Sequence, residues 1–142
     1  MGTAESPVWT SSGGDVVVDS ASLPGAYGVE VPRRLTVAEM ESLSRTHGIE
    51  FSLVYETGPS VNGGGGTNWL YSGTRNTVPV PIGGNVRWIY HTHAAPNSAP
   101  YASGADQAVL RALQQAGSPQ KSSTIIPVGG TPFQFDVTNV RR

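Results

Sequence analysis

Glycine and proline place the tightest limit on how this chain can fold. Its 142 residues include 18 glycines and 11 prolines, and these residues punctuate short strand-like apolar segments. A chain of this length is typical of one domain, so we expect residues 13–142 to form a single domain. Residues 1–12 are small and polar without an apolar core, and we expect them to be a flexible lead-in.

Two segments have the sequence pattern of amphipathic helices. The first begins after Thr36, which has the spacing of a capping box with Glu39, and Gly48 is a natural end for it. The second is expected at Ala105–Ala116, where three apolar residues recur at helical spacing on an inward face. These three are Val109, Leu110 and Leu113.

The remaining apolar segments have the character of strands. They lie at Asp15–Asp19, Glu50–Glu56, Trp69–Tyr71, Val78–Ile82, Val86–His93, Thr124–Val128 and Phe133–Val137. The prolines of Val78–Ile82 limit that strand to a sheet edge. Residues 20–34 are expected to be an irregular connection, and Gly63–Gly66 a mobile loop or hairpin tip. The order of elements predicts an α/β fold in which helices flank a mixed β-sheet.

Composition excludes several functional classes. The chain has no cysteine, which rules out a disulfide framework, a thiolate metal site and a cysteine nucleophile. Any metal must therefore be held by imidazole and carboxylate. The nine Lys and Arg residues are scattered and the net charge is −1, so no nucleic-acid partner is expected. No apolar segment approaches the length of a membrane span, so no membrane partner is expected either.

The segment Arg-Trp-Ile-Tyr-His-Thr-His at residues 87–93 is the densest group of reactive residues. Side chains alternate across a strand, so His91 and His93 project to the same face. Two adjacent imidazoles on a rigid element are two-thirds of a protein zinc site. The alternative is a pair of polar residues on a half-exposed strand face. Alternation also predicts that Trp88 and Tyr90 face away from the metal and pack in the core.

Ser103 and Asp106 open the second predicted helix. A serine three residues before an acidic residue is an ordinary N-terminal cap, and taken alone this interpretation is the better one. The two roles are compatible, because the loop after His93 can fold Asp106 back toward the histidines. Two histidines and one aspartate leave an open position for water, as in catalytic zinc sites. Zinc bound in this way lowers the pKa of its water to about 7.

Hydrolysis at such a site also needs a general base. Among the upstream carboxylates, Glu39 is better explained as a cap partner, Glu41 as solvated helix surface and Glu56 as a strand end. Glu50 lies between the first helix and an apolar strand, where a charge is unexpected unless it has a function. Spacing alone does not reject the alternative that Glu50 is a strand-edge carboxylate.

These motifs together resemble the signature of the JAMM (MPN-plus, JAB-type) zinc metallopeptidases, which is Glu, then His-Ser/Thr-His, then Ser-x-x-Asp. The matching stretches are residues 47–55, Tyr-His-Thr-His at 90–93 and Ser-Gly-Ala-Asp at 103–106. The resemblance implies a JAB/MPN-like fold of cytidine-deaminase-like topology, a Zn²⁺ cofactor and five functional residues. It assigns the zinc ligands to His91, His93 and Asp106, the general base and later acid to Glu50, and an oxyanion hydrogen bond to Ser103.

Two departures from the family pattern fall in one loop. Ala94-Ala95-Pro96 stands where the family has proline directly after the second histidine, and nine residues rather than seven separate His93 from Ser103. Because both departures lie in the same loop, we interpret them as a local insertion.

The resemblance implies hydrolysis of a peptide or isopeptide bond in a protein or peptide substrate. The expected substrates are a ubiquitin-like tail, an isopeptide or a cell-wall peptide. The expected setting is a bacterial JAB-like domain, either cytoplasmic or exported within a larger toxin-like protein. The alternative is a non-catalytic MPN-like scaffold, although such scaffolds normally lack some of the ligands that this chain keeps. A nucleobase deaminase requires Pro-Cys-x-x-Cys, and the absence of cysteine argues against that class.

Overall fold

The computed structural model describes residues 10–12, 15–17, 23–58, 66–94 and 104–138. They form a mixed α/β fold with an open six-stranded sheet and two helices, which confirms the predicted class. The ten elements are β1 (Thr10–Ser12), β2 (Asp15–Val17), β3 (Val29–Val31), α1 (Val37–His47), β4 (Phe51–Thr57), β5 (Gly66–Ser72), β6 (Val86–His93), α2 (Gly104–Gln115), β7 (Ser122–Pro127) and β8 (Phe133–Asp136).

Local side-chain chemistry fixes both ends of α1. The Thr36 hydroxyl accepts a hydrogen bond from the Glu39 backbone N–H at 3.1 Å, and the Glu39 carboxylate accepts one from the Thr36 N–H at 2.9 Å. This is the predicted capping box. At the other end Gly48 adopts a left-handed conformation (φ 70°) and its N–H bonds the Ser44 carbonyl at 2.8 Å. Glycine adopts this conformation without steric cost, so the helix ends there.

The sheet is mixed, with strand order β3-β5-β4-β6-β7-β8. β6 and β7 pair in parallel and the other neighbours pair antiparallel. α2 lies between β6 and β7 in the chain, so it is the crossover that a parallel pair requires. β1 and β2 form a separate antiparallel pair.

The two helices cover opposite faces of this sheet. Neighbouring residues such as Leu53 and Val54 on β4 belong to different core clusters, because alternate side chains of a strand point to opposite faces. The α1 cluster contains Val31, Leu35, Met40, Leu43, Phe51, Leu53, Leu70 and Ile126. The α2 cluster contains Val54, Tyr71, Val86, Trp88, Leu110, Leu113, Ile125 and Phe135.

A β-bulge in β6 changes which residues face α2. Leu53 pairs with Tyr90 and Val54 with Trp88, so Ile89 is an extra residue without a partner on β4. Trp88 therefore packs in the α2 cluster, on the same face as His91, and the prediction that it faces away from the histidines is wrong. Tyr90 packs against the α1 cluster, as predicted.

The structure differs from the sequence prediction in three other segments. Val78–Ile82 is not a strand, because Pro79 and Pro81 lack the N–H that a ladder requires. Its valines pack against the α2 cluster instead. Residues 20–34, expected to be irregular, contain β3, and the expected lead-in contains β1. Of the predicted glycine loop, residues 63–65 lie outside the described part and Gly66 begins β5.

Across the described ranges, no helix is long and apolar enough to cross a membrane.

Candidate metal centre

Three of the predicted site residues come together at one end of the sheet. His91, His93 and Asp106 each offer a ligand atom, and these atoms lie within 4.8 Å of one another. The Nε2 atom of His91 is 3.0 Å from Oδ1 of Asp106, and Nε2 of His93 is 3.3 Å from Oδ2. The group could therefore hold a metal ion.

Backbone geometry places these side chains. His91 and His93 lie at the C-terminal end of β6, two positions apart and on the face that α2 covers. The strand is held there by its parallel pairing with β7, in which His91 is opposite Ile125 and His93 opposite Pro127. Asp106 lies in the first turn of α2, where the helix dipole favours a negative charge. Because α2 follows β6 in the chain, its first turn brings the Asp106 carboxylate back to the C-terminal end of β6.

The donor types suit a divalent metal ion such as zinc. Catalytic zinc sites use three protein ligands from histidine and carboxylate, and two ligands about 2.1 Å from a tetrahedral ion are roughly 3.4 Å apart. The nitrogen–oxygen distances, 3.0 Å to Oδ1 and 3.3 Å to Oδ2 of Asp106, are near that separation. No cysteine competes for the site, because the chain has none.

His91 carries a second indication of a metal ligand. Its exposed fraction is 0%, and within the described part of the chain neither ring nitrogen has a hydrogen-bond partner. The Nε2 atom lies 3.0 Å from Oδ1 of Asp106, which is an ion-pair distance. A buried polar atom without a hydrogen bond is costly, and coordination of a metal ion by Nε2 would compensate for that cost.

The protonation state of His91 also suits coordination. Burial lowers the pKa of this imidazole, and the neighbouring Asp106 carboxylate opposes that effect only in part. The neutral form is the one that binds a metal ion. His91 is therefore ready for coordination at neutral pH.

Glu50 lies beside this group, directly before the first residue of β4. Ser52 pairs with His91 in the antiparallel β4–β6 ladder, so Glu50 comes level with His93. Burial raises the pKa of Glu50 to about 7; the His93 charge opposes this rise and the Asp106 charge adds to it. Its backbone is held on both sides, since its N–H donates to the Thr74 carbonyl and its carbonyl accepts from Gly73.

The middle residue of His-Thr-His connects the two halves of the site. The Thr92 hydroxyl accepts a hydrogen bond from the Phe51 N–H at 2.9 Å, and this bond is buried. It ties the residue after Glu50 to the residue between the two histidines. Sequence reasoning gave Thr92 no role, although its position within the motif was the available signal.

Sequence reasoning also missed the aromatic surroundings of His91. The Trp88 ring stacks on the imidazole with a centroid distance of 4.6 Å and a 15° angle between planes, and the Phe135 ring meets it edge-on at 6.0 Å. No pattern on one strand predicts Trp88 there, because the bulge at Ile89 depends on how β4 pairs with β6. Ser103, the fifth predicted site residue, lies outside the described residues.

Comparisons with known proteins add no family assignment. No protein-family model matches the chain, and no curated protein or solved structure matches it significantly. The resemblance to JAMM metallopeptidases therefore depends on the motif residues alone.

Proposed function

We propose that this protein is a zinc-dependent hydrolase of peptide or isopeptide bonds, of the JAMM type. One observation carries the proposal: His91, His93 and Asp106 bring their ligand atoms within 4.8 Å of one another, and a buried carboxylate with a pKa of about 7, Glu50, lies next to them. A structural ion pair would explain why Asp106 lies against the two histidines. It would not explain why the Glu50 carboxylate is buried beside them, since among its electrostatic neighbours in the described residues there is no arginine of the kind that pairs with Glu39.

His91, His93 and Asp106 would hold the ion. Zinc supplies a Lewis acid that polarises the substrate carbonyl and lowers the pKa of an attacking water. The three side chains come from two rigid elements, β6 and α2, so the donor set is arranged before any ion arrives. Such preorganisation is what a catalytic site requires of its supporting residues.

Glu50 is the proposed proton carrier. It accepts the proton of the attacking water and delivers that proton to the leaving nitrogen. A group with this role works best when its pKa is near the working pH, and burial raises the pKa of Glu50 to about 7. Its low exposed fraction, 6%, also limits exchange of the proton with bulk water.

The order of the motifs supports the family part of the proposal. Glu50 precedes β4, the histidines end β6 and Asp106 lies in the first turn of α2, which is the order of the family signature. In this proposal Ser103, three residues before Asp106, donates a hydrogen bond to the developing oxyanion. The substrate is a protein or peptide chain, because the family signature implies an amide bond, and the fold is of the JAB/MPN type.

The test is hydrolysis of a panel of quenched-fluorescence peptides and of a lysine-linked isopeptide by zinc-loaded protein. We expect turnover that a chelator abolishes, that zinc restores and that His91→Ala lacks. Glu56→Gln is the matched control for Glu50→Gln, because Glu56 is an exposed carboxylate on β4, the strand that Glu50 directly precedes, and it should leave turnover unchanged. Zinc binding without turnover on any substrate would favour the non-catalytic scaffold.

A further inference from the structure

Most metal-binding histidines are oriented by a hydrogen bond from the ring nitrogen that does not touch the metal. His91 lacks that support, since its Nδ1 atom is buried and has no hydrogen-bond partner within the described residues. The ring torsion of histidine has a broad minimum, so the imidazole plane would be loosely defined. Some other contact must define it.

That contact is the indole of Trp88. The two ring planes are only 15° apart with a centroid distance of 4.6 Å, which is a stacked arrangement. The Phe135 ring closes a second side, edge-on to both the imidazole and the indole. Rotation of the imidazole about its torsion would drive it into one of these two rings.

Trp88 is itself held firmly enough to act as a support. Its indole N–H donates to the Ser52 hydroxyl at 2.9 Å, and both groups are buried. Its backbone N–H donates to the side-chain carbonyl of Gln120, and its carbonyl accepts from the amide of the same side chain. The indole is therefore fixed at its ring and at its backbone.

The bulge at Ile89 is what makes this contact possible. On a regular strand Trp88, three positions before His91, would point to the opposite face. The bulge at Ile89 instead puts Trp88 and His91 on the face that α2 covers. Bulges often redirect a side chain next to a functional site.

We propose that Trp88 is a positioning residue for the metal centre: stacking on its indole, instead of a hydrogen bond, sets the plane of the His91 imidazole for metal binding. The inference rests on the metal site of the proposed function. It does not depend on which bond the protein hydrolyses, or on whether it hydrolyses any.

The test is zinc affinity, measured by competition with a chromophoric chelator, for the wild type and three variants. Trp88→Leu removes the aromatic stack, and we expect it to weaken zinc binding by about tenfold or more, as loss of a supporting residue does. Trp88→Phe keeps a ring and should bind several times more tightly than Trp88→Leu. Tyr90→Leu is the matched control, since Tyr90 is an aromatic residue of the same strand on the α1 face, and its affinity should equal that of the wild type.

A spectroscopic measurement keeps the inference testable if Trp88→Leu does not fold. With Trp9 and Trp69 replaced by phenylalanine, Trp88 is the sole tryptophan, because the chain has three. Zinc has no d–d absorption to quench the indole, so a change in emission reports a change in the immediate surroundings of the Trp88 ring, which include the stacked His91 imidazole. We expect an emission change that saturates at one equivalent of zinc and disappears in His91→Ala.

The outcomes separate the two proposals. Wild-type zinc affinity in folded Trp88→Leu, or equal weakening in Trp88→Leu and Trp88→Phe, would overturn the role of the stack and leave the metal site standing. Unchanged Trp88 emission in protein that the chelator assay shows to have bound zinc would also overturn the role of the stack and leave the metal site standing. Failure of the wild type to bind zinc would overturn both the metal site and the inference.

Discussion

The first turns of α1 and α2 both carry an acidic residue three positions after a serine or threonine, and the two carboxylates are used differently. In α1, Arg33 contacts both oxygens of Glu39 at 2.7 Å, and the Thr36 N–H bonds one of them at 2.9 Å. In α2, the oxygens of Asp106 face the imidazoles of two histidines. The same short pattern therefore serves local structure in one place and a candidate metal centre in the other.

The two buried glutamates show the same contrast in their electrostatics. Glu39 and Glu50 have exposed fractions of 1% and 6%. The hydrogen bonds of Arg33 hold the pKa of Glu39 below its ordinary value, against the effect of burial. Burial instead raises the pKa of Glu50 to about 7. A carboxylate satisfied by its neighbours in sequence indicates a structural role, whereas a buried carboxylate with a raised pKa beside candidate metal ligands indicates a chemical one.

Replacing each of the two glutamates by glutamine should give the largest difference in activity between the two regions. We expect Glu50→Gln to lower kcat by about a thousandfold, because a general base is removed but no metal ligand. Its zinc content should be that of the wild type. Initial rates on the best peptide of the panel measure the effect, and full activity in Glu50→Gln would remove this residue from the mechanism. Glu39→Gln should retain full activity.

The serine or threonine that precedes the acidic residue of each helix by three positions gives the next largest effect. We expect Ser103→Ala to lower kcat by about a hundredfold, because an oxyanion donor is lost. Thr36→Ala should leave kcat unchanged and lower the free energy of unfolding by about 1 kcal/mol, the usual cost of a lost N-cap. Rates and denaturant melts of both variants check this. Equal activity of the two variants would remove Ser103 from the proposed mechanism.

The two glutamates should also give the metal-free protein opposite pH dependences. The folded-state pKa of Glu50 is raised, so its contribution to stability falls as pH rises from about 5 to about 7.5. The lowered pKa of His91 acts in the opposite direction, so the Glu50 contribution is the difference between the wild type and Glu50→Gln. We expect this fall to be about 1–3 kcal/mol, reduced from the full shift by solvent screening, and to vanish in Glu50→Gln. The pKa of Glu39 is lowered, so its stabilisation is present above its ordinary pKa and is lost in acid.

Urea denaturation at several pH values measures both slopes. A Glu50→Gln protein whose stability has the same pH dependence as the wild type between about pH 5 and 7.5 would mean that Glu50 does not titrate in this window. The control is Glu39→Gln, which should keep the neutral-pH slope and show less loss of stability in acid.

The smallest effect concerns the stability of α1. We expect Glu39→Gln to lower the free energy of unfolding by about 1–2 kcal/mol, because the charge-assisted hydrogen bonds from Arg33 become neutral ones. Gln still suits the capping box, so the helix should persist. Denaturant melts of Glu39→Gln and Arg33→Gln test this, and a stability equal to that of the wild type in both would show that the pair contributes nothing.

The parts of the fold that follow from local sequence were predictable. The ends of α1 were predicted correctly, since Thr36, Glu39 and Gly48 act on their own neighbours in sequence. β3 was missed because its strand conformation comes from pairing with β5, about forty residues later in the chain. Val78–Ile82 was predicted as a strand from its apolar residues, and the prolines outweighed that signal.

For the site, spacing predicted the shared face of His91 and His93, and the helix start predicted the place of Asp106. The side on which Trp88 lies was not predictable. It depends on one extra residue opposite β4, and an alternating pattern read along β6 alone gives the wrong face.

The central claim is that Asp106, unlike Glu39, is a metal ligand, and metal content tests it most directly. Protein purified without added metal, then dialysed against equimolar zinc, is analysed by plasma mass spectrometry for the wild type, Asp106→Asn, His91→Ala and Glu39→Gln. We expect about one zinc per chain in the wild type and Glu39→Gln, and none in the other two. Stoichiometric zinc in Asp106→Asn, or no zinc in the wild type, would contradict it.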